Sequence, residues 1–220
     1  MKALVATESP STWGQTLNVD KERVYSERFS LSFLERWAVS QRLARVIAPL
    51  RALLQSKDHV RVLELGCGYG GANLKFLYRL LAQGHFSGMD LRVSAEPVTG
   101  IELFEADLSQ WQPESRWDFV FSLAVVEHLA DPARHFRLLY DCLVPGGLAV
   151  LTTPTPLSFP VLMTLTALHV FDARTILDHK CYFTREGIAF HAQNAGFRII
   201  AQRTFQLGMN QYVILQVPAE

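Results

Sequence analysis

The segment VLELGCGYGG, residues 62–71, places a carboxylate, Glu64, two residues before a run of glycines. Glycines let a backbone approach a ligand closely and turn sharply. When such a loop leads into a helix, the free N–H groups at the helix N-terminus attract an anionic group. The segment therefore predicts a loop that holds a cofactor with a negatively charged end.

Two kinds of cofactor are compatible with these glycines, and Glu64 separates them. Gly66-x-Gly68-x-x-Gly71 is the spacing of a dinucleotide-binding loop, but its pyrophosphate would be repelled by the Glu64 carboxylate. Glu64-x-Gly66-x-Gly68-x-Gly70 is the spacing of a loop that holds S-adenosylmethionine, whose ammonium group attracts the same carboxylate. We favour S-adenosylmethionine, and a chance glycine turn remains the bland alternative.

Two further carboxylates follow predicted strands. Asp90 ends HFSGMD, where its two oxygens can accept hydrogen bonds from both hydroxyls of a ribose, in either cofactor. Asp107 ends IELFEAD, where it can accept from an adenine amino group. The alternative for Asp107 is a turn residue or a helix cap.

Hydrophobic periodicity predicts the elements that position these side chains. Short strands are predicted at 60–65, 85–90, 101–107, 117–123 and 148–153, and residues 197–205 and 211–217 are predicted to form a hairpin. Helices are predicted between them: over 31–54 with a kink or break at Pro49, from Leu74 to a cap at Gly84, after the cap Asp131, and from the cap Thr184 to Gly196. This alternation predicts an α/β fold with a mostly parallel sheet and helices on both faces.

Composition and charge limit the classes of function. The chain has 220 residues, enough for one domain, and 21 basic residues balance 21 acidic ones. Zero net charge removes the electrostatic argument for a nucleic-acid partner. Three cysteines without a CxxC pattern predict neither a disulfide framework nor a metal site. Without a secretory signal or about 18 continuous apolar residues, we expect a cytoplasmic protein.

The combination of motifs is more specific than the glycine loop alone. VLELGCGYGG, SGMD, FEADL, WDFVFSLAVVEHLADP and LVPGGLAVLTTP resemble, in order and spacing, class I S-adenosylmethionine-dependent methyltransferases. The chain looks most like their small-molecule subgroup, which includes the ubiquinone and menaquinone ring methyltransferases. The resemblance implies a Rossmann-like seven-stranded sheet whose last strand is reversed. It also implies an N-terminal arm and cap helices at 1–56, and a methyltransferase domain at 57–220 with a lid-like insertion at about 156–180.

The resemblance implies a role for each matching residue. Asp90 would hold the ribose, with Leu91 against the adenine face, while Asp107 and the backbone of Leu108 would read the adenine edge. The remaining residues would lie near the methionine part of the cofactor: Glu64, Gly66, Cys67, Gly68, Gly70 and Leu123. One departure concerns LRVSAEPVTG, residues 91–100, which is too short for the helix that the family usually places there. We expect a loop or another segment to cover that face of the sheet.

The acceptor half of the sequence is less informative. We expect a small-molecule acceptor, with a hydroxyl oxygen favoured, because His179 and His128 are candidate general bases. For both histidines, a structural hydrogen bond is the alternative. The apolar stretch 156–171 predicts either a lid for a lipid-like or glycan acceptor, with membrane-surface contact, or a helix buried against the core or a dimer partner.

Two other classes of protein remain as alternatives. A catalytically silent scaffold that binds S-adenosylmethionine would have the same loop. A nicotinamide-dependent oxidoreductase would need an apolar residue in place of Glu64 and a catalytic Tyr-x-x-x-Lys element, which does not follow the fourth strand. The sequence leaves the oligomeric state open.

Overall fold

The computed structural model describes residues 33–94, 96, 98–167 and 180–219. The chain divides into two compact units between Trp111 and Gln112. The first unit contains α1 (Phe33–Ser56), β1 (Arg61–Leu65), α2 (Ala72–Leu81), β2 (His85–Asp90) and β3 (Ile101–Glu105). The second contains β4 (Trp117–Leu123), a 3₁₀ turn (Val126–His128), α3 (Pro132–Asp141), β5 (Leu143–Pro154), α4 (Ser158–Ala167), α5 (Arg185–Asn194), β6 (Arg198–Phe205) and β7 (Asn210–Gln216).

The strands form a seven-stranded sheet of order β3-β2-β1-β4-β5-β7-β6. In the first unit β1, β2 and β3 pair in parallel, and in the second unit β4 and β5 do. β7 pairs antiparallel with both β5 and β6. The expected α/β class, the mostly parallel seven-stranded sheet and the antiparallel C-terminal hairpin are confirmed.

The core of the first unit forms where β1 and β2 meet α2. Both strands are buried along almost their whole length, as a strand covered on both faces must be. α2 presses Leu74 so closely onto β2 that a Cβ on Gly88 would collide with it, and would lie 2.9 Å from Leu103 and 3.0 Å from the Cβ of Cys67. Gly88 therefore permits the contact that brings the glycine loop, α2 and β3 together.

Pro49 does not break the first helix, so that part of the expectation was wrong. α1 is continuous from Phe33 to Ser56 with Pro49 inside it. Its neighbours Val46 and Leu50 are completely buried. The burial of this apolar face offsets the hydrogen bond that proline cannot donate.

Two other boundaries differ from those expected. α2 ends at Leu81 with Ala82, not Gly84, as the left-handed cap, and the Ala82 N–H donates to the Tyr78 carbonyl. β5 begins at Leu143 and continues through the Pro-Gly-Gly sequence that was expected to precede it. Trp117 pairs with Leu143, whereas the next paired positions are Phe119 and Leu148, so the extra residues form a bulge.

The connection between β2 and β3 contains no helix in its described residues, 91–94, 96 and 98–100. It instead folds back over the glycine loop, where the Ser94 N–H donates to the Tyr69 carbonyl at 2.7 Å. The Val93 N–H donates to Oε1 of Glu105 at 3.1 Å. At the far end Gly100 lies so close to the Tyr78 ring of α2 that a Cβ would collide with it. The expected loop covering is confirmed for these residues.

A buried histidine in the second unit makes stability depend on pH. His135 of α3 is 1% exposed, its Nε2 lies 3.1 Å from Oγ of Ser122, and its Nδ1 has no hydrogen-bond partner among the described residues. Burial lowers the His135 pKa from 6.5 to about 4. The folded state therefore holds the neutral ring over a range in which the unfolded chain binds a proton.

We expect the free energy of unfolding to fall as the pH drops from about 6.5 towards about 4, because only the unfolded state gains the proton in that window. The loss from this group is about 2 kcal/mol at pH 5. Denaturant titration at pH 7 and pH 5 measures it. His135→Gln should remove this part of the pH dependence, and His85→Gln, at an exposed position, is the matched control. Equal pH dependence in the wild-type protein and His135→Gln would contradict the prediction.

Candidate functional site

The glycine loop joins the end of β1 to the start of α2 and is tied to β2. The N–H groups of Gly66 and Cys67 both donate to the Met89 carbonyl, at 2.8 and 3.0 Å. Gly68 has φ +69°, a left-handed conformation that favours glycine, and an added Cβ would meet nothing within 4 Å. The loop therefore presents backbone to open space, which is the arrangement that a closely bound ligand needs.

Glu64 is buried beneath this loop and is only half satisfied. Its side chain is 0% exposed, and its Oε1 accepts a hydrogen bond of 2.7 Å from Nδ2 of Asn73, in the first turn of α2. Its Oε2 is buried without a hydrogen-bond partner among the described residues. Loss of solvent raises the Glu64 pKa to about 8; the Asn73 amide opposes the shift and the nearby Asp90 adds to it.

Asp90 lies at the end of β2 and braces the same loop. Its Oδ2 accepts from the N–H of Gly68 and its Oδ1 from the N–H of Leu91, both at 2.8 Å. Burial raises the Asp90 pKa, and these backbone hydrogen bonds oppose the shift. Because a carboxylate has about four lone-pair positions, both oxygens can still accept from a ligand. Leu91 is 64% exposed beside it.

Asp107 lies two residues beyond the end of β3, not at the strand end as expected. Its Oδ1 accepts from the Ser109 N–H at 2.8 Å and its Oδ2 from Nε2 of Gln110 at 3.3 Å. This is the turn role that the sequence left as the alternative, and it leaves acceptor positions on both oxygens. The neighbouring Leu108 is half-buried.

Cys67 is a buried member of the loop, not a reactive one. Its thiol lies 3.3 Å from the Gly68 carbonyl. Burial, together with the carboxyl groups of Glu64 and Asp90, raises the Cys67 pKa well above its ordinary value. The thiol stays protonated at neutral pH, so it packs against the loop without acting as a nucleophile.

The second unit holds the other predicted residues. Leu123 is half-buried at the end of β4, and His128 is half-buried at the end of the 3₁₀ turn. Between them, Glu127 is 1% exposed and its Oε2 accepts from Oγ1 of Thr153 at 3.1 Å. The Glu127 carbonyl accepts from the N–H groups of Lys180 and Cys181, at 2.8 and 3.3 Å. His179 lies outside the described residues.

Several contacts of these sites were missed by sequence reasoning. Asn73 follows Glu64 by nine residues, and no local pattern links the two. Thr153 belongs to the TT pair of LAVLTT, which indicated only a strand. The position of Asn73 in the first turn of the helix after the loop is the one signal that could have drawn attention to it.

The loop and the two carboxylates around it have the chemistry to hold a cofactor with a cationic group and a ribose. A fully buried carboxyl with one unpartnered oxygen fits an ammonium group, and it does not fit a pyrophosphate. Within the described ranges no group of three or more His, Cys, Asp or Glu side chains is placed to hold a metal ion. No helix in that part of the chain is long and apolar enough to cross a bilayer.

These features define an α/β domain of the kind that binds a nucleoside-containing cofactor at the carboxyl ends of its strands. The family model described as a methyltransferase domain matches residues 36–202. The chain therefore belongs to this methyltransferase family. The expected class of S-adenosylmethionine-dependent methyltransferases is confirmed, whereas the ubiquinone- and menaquinone-like subgroup stays a prediction.

Two curated relatives share about a third of the aligned residues. A trans-aconitate 2-methyltransferase of Rhodopseudomonas palustris is 31% identical over 116 residues, which cover 50% of this chain and 45% of the relative. A trans-aconitate 2-methyltransferase of Rhizobium leguminosarum is 35% identical over 105 residues, covering 46% and 41%. The matches thus span less than half the length of these relatives.

Solved structures agree on the fold. An S-adenosylmethionine-dependent methyltransferase from Mesorhizobium loti has a TM-score of 0.57 and 22% identity, over 76% of this chain and 95% of that one. The magnesium protoporphyrin IX methyltransferase of Synechocystis, solved with bound S-adenosylhomocysteine, has a TM-score of 0.64 and 16% identity, over 89% and 92%. At these identities the likeness establishes the fold alone.

Proposed function

We propose that this chain transfers the methyl group of S-adenosylmethionine to an oxygen atom of a small-molecule acceptor. The observation that carries the proposal is the buried Glu64 carboxyl, whose Oε2 has no partner among the described residues, beneath a loop with open space at Gly68. Such a site attracts an ammonium group and repels a pyrophosphate. Family membership supports the same reaction.

Each residue of the loop has a defined part in this proposal. Oε2 of Glu64 would bind the methionine ammonium, while the N–H groups at the start of α2 favour its carboxylate. Asp90 would accept from the ribose hydroxyls on the lone pairs that its backbone hydrogen bonds leave free. The remaining assignments stay predictions: Gly66, Cys67, Gly68, Gly70 and Leu123 near the methionine part, and Leu91, Asp107 and Leu108 around the adenine.

The chain mainly orients and shields the reactants. When bound, S-adenosylmethionine supplies a methyl group activated on a positively charged sulfur. Glu64 and Asp90 would hold the cofactor on either side of that sulfur, which fixes its direction of attack. α4 is our candidate for the lid that excludes water over the acceptor: it carries Phe159, Val161 and Met163, all partly exposed apolar side chains.

The type of oxygen decides whether a general base is needed. The relatives are named for trans-aconitate, a tricarboxylic acid, and a carboxylate oxygen is already deprotonated at neutral pH. A hydroxyl acceptor must instead lose a proton, and His128 and His179 are the candidates to take it. Both acceptor types fall within the proposal, and they make different demands on the two histidines.

We expect the purified protein to bind S-adenosylhomocysteine and not NADH, and to transfer labelled methyl from S-adenosylmethionine to a carboxylic or hydroxylic small molecule. Calorimetry measures binding, and a filter or mass-spectrometric assay over an acceptor panel that starts with trans-aconitate measures transfer. NADH binding without S-adenosylhomocysteine binding would contradict the cofactor assignment. Adenosyl binding without turnover on the whole panel would favour a silent scaffold.

The two histidines provide the next comparison on any acceptor found. His128→Ala and His179→Ala should leave transfer to a carboxylate within a few-fold of wild type. With a hydroxyl acceptor, loss of the general base should lower kcat by about 100-fold or more. A hydroxyl acceptor that turns over normally in both variants would rule out both histidines as the base.

A further inference from the structure

The further inference concerns the protonation state of Glu64, and it rests on the proposed function. The carboxyl is completely buried, one oxygen is held by Asn73, and the other has no hydrogen-bond partner in the described part of the chain. An ionised carboxylate without a cation or a second donor is strongly disfavoured in such surroundings. Protonation removes that cost as long as no ligand is bound.

The groups that face Glu64 agree with this state. From the end of β2, Asp90 adds a second negative charge, which opposes ionisation of Glu64. From the loop, Cys67 contributes a thiol whose raised pKa keeps it neutral. From α2, the Asn73 amide donates to Oε1 and is the one listed influence that favours the charged form. Together these influences raise the Glu64 pKa to about 8.

We propose that Glu64 is protonated in the cofactor-free protein and loses this proton when the ligand's ammonium group binds at its unpartnered Oε2, so that cofactor binding releases one proton to solvent. The O–H bond of the carboxyl breaks, the proton passes to the buffer, and the carboxylate then accepts from the ammonium N–H. Cofactor affinity is thereby coupled to pH through a residue that contacts the cofactor.

The coupling has a definite size and sign. With a pKa of about 8, binding at pH 7 releases about 0.9 proton, and at pH 8 about half a proton. Affinity rises by nearly tenfold between pH 6 and pH 7 and levels off above pH 8, because ionisation of Glu64 no longer opposes binding there. A carboxyl with an ordinary pKa would give no release and a flat profile over the same range.

Calorimetric titration with S-adenosylhomocysteine at pH 7, in two buffers with different heats of ionisation, counts the protons directly. We expect about 0.9 proton released in the wild-type protein and none in Glu64→Gln. 5′-Methylthioadenosine, which lacks the ammonium group, should bind the wild-type protein without release. It also serves as the control that the adenosine part of the site is intact in Glu64→Gln.

Asn73→Ala provides a second, graded variant. Its loss removes the amide that favours the charged form, so proton release should persist to higher pH than in wild type. S-adenosylhomocysteine that binds the wild-type protein with no proton release would overturn this inference and leave the proposed function standing. Release that survives in Glu64→Gln would also overturn it, by assigning the proton to another group. Failure of the wild-type protein to bind the ligand at all would instead contradict the proposed function.

Discussion

Gly68→Ala should weaken the binding of S-adenosylhomocysteine by on the order of 100-fold, about 3 kcal/mol, while the protein stays folded. Gly68 has φ +69° and no atom within 4 Å of an added Cβ, so the substitution creates no clash inside the chain. The new methyl group instead enters the space beside the loop, where the proposed cofactor contacts the backbone. Calorimetry with S-adenosylhomocysteine measures the loss.

Gly146→Ala is the matched control for Gly68→Ala. Gly146 has φ +77° and also no atom within 4 Å of an added Cβ, but it belongs to β5 in the second unit. Both variants carry the strain of a left-handed alanine, about 1 kcal/mol, and should therefore lose similar stability in denaturant titrations. Only Gly68→Ala should lose affinity. Equal affinities in the two variants would show that the ligand does not approach the loop at Gly68.

Asp90→Ala should reduce affinity for S-adenosylhomocysteine by several hundred-fold. Hydrogen bonds to a charged group contribute about 1.5–3 kcal/mol each, and the proposed site places both ribose hydroxyls on this carboxylate. The substitution also leaves the N–H groups of Gly68 and Leu91 without their acceptor. The affinity for 5′-methylthioadenosine should fall by a similar factor, because that ligand keeps the ribose.

A deoxyribose analogue separates the ribose contact from the support of the loop. In the wild-type protein, an analogue without one ribose hydroxyl should bind more weakly than its parent. In Asp90→Ala the two should bind equally, because the partner of that hydroxyl is gone. Asp90→Asn, which keeps the volume and one acceptor oxygen, should lie between the two proteins. An analogue penalty that persists in Asp90→Ala would place the ribose elsewhere.

The parts of the fold that were predicted correctly depend on local patterns. β2 and β4 have the bounds that their apolar runs indicate, and the caps Asp131 and Thr184 accept the expected backbone hydrogen bonds, from Arg134 and Gly187. Each of these features is decided by residues a few positions apart. The same is true of the glycine loop, whose residue types directly reflect its backbone conformation.

The parts that were not predicted depend on distant partners. Pro49 continues its helix because of what Val46 and Leu50 pack against, and a local rule for proline carries no information on that burial. The bond between Asn73 and Glu64 exists only once α2 has packed against β1. The environment of Glu64 likewise comes from Asp90, 26 residues further along the chain. Its carboxylate type could be read from the sequence, whereas its half-satisfied state could not.

The short connection between β2 and β3 makes chain length part of the cofactor loop. Surface connections usually accept inserted residues with little effect on the rest of a domain. Here Ser94 holds the Tyr69 carbonyl, and Gly100 is fixed beneath the Tyr78 ring. An insertion between these two points would release Tyr69 before it disturbed the sheet. Evolutionary drift in the length of this connection is therefore constrained by ligand binding, and a lineage that lengthens it must rebuild the support of the loop from other residues.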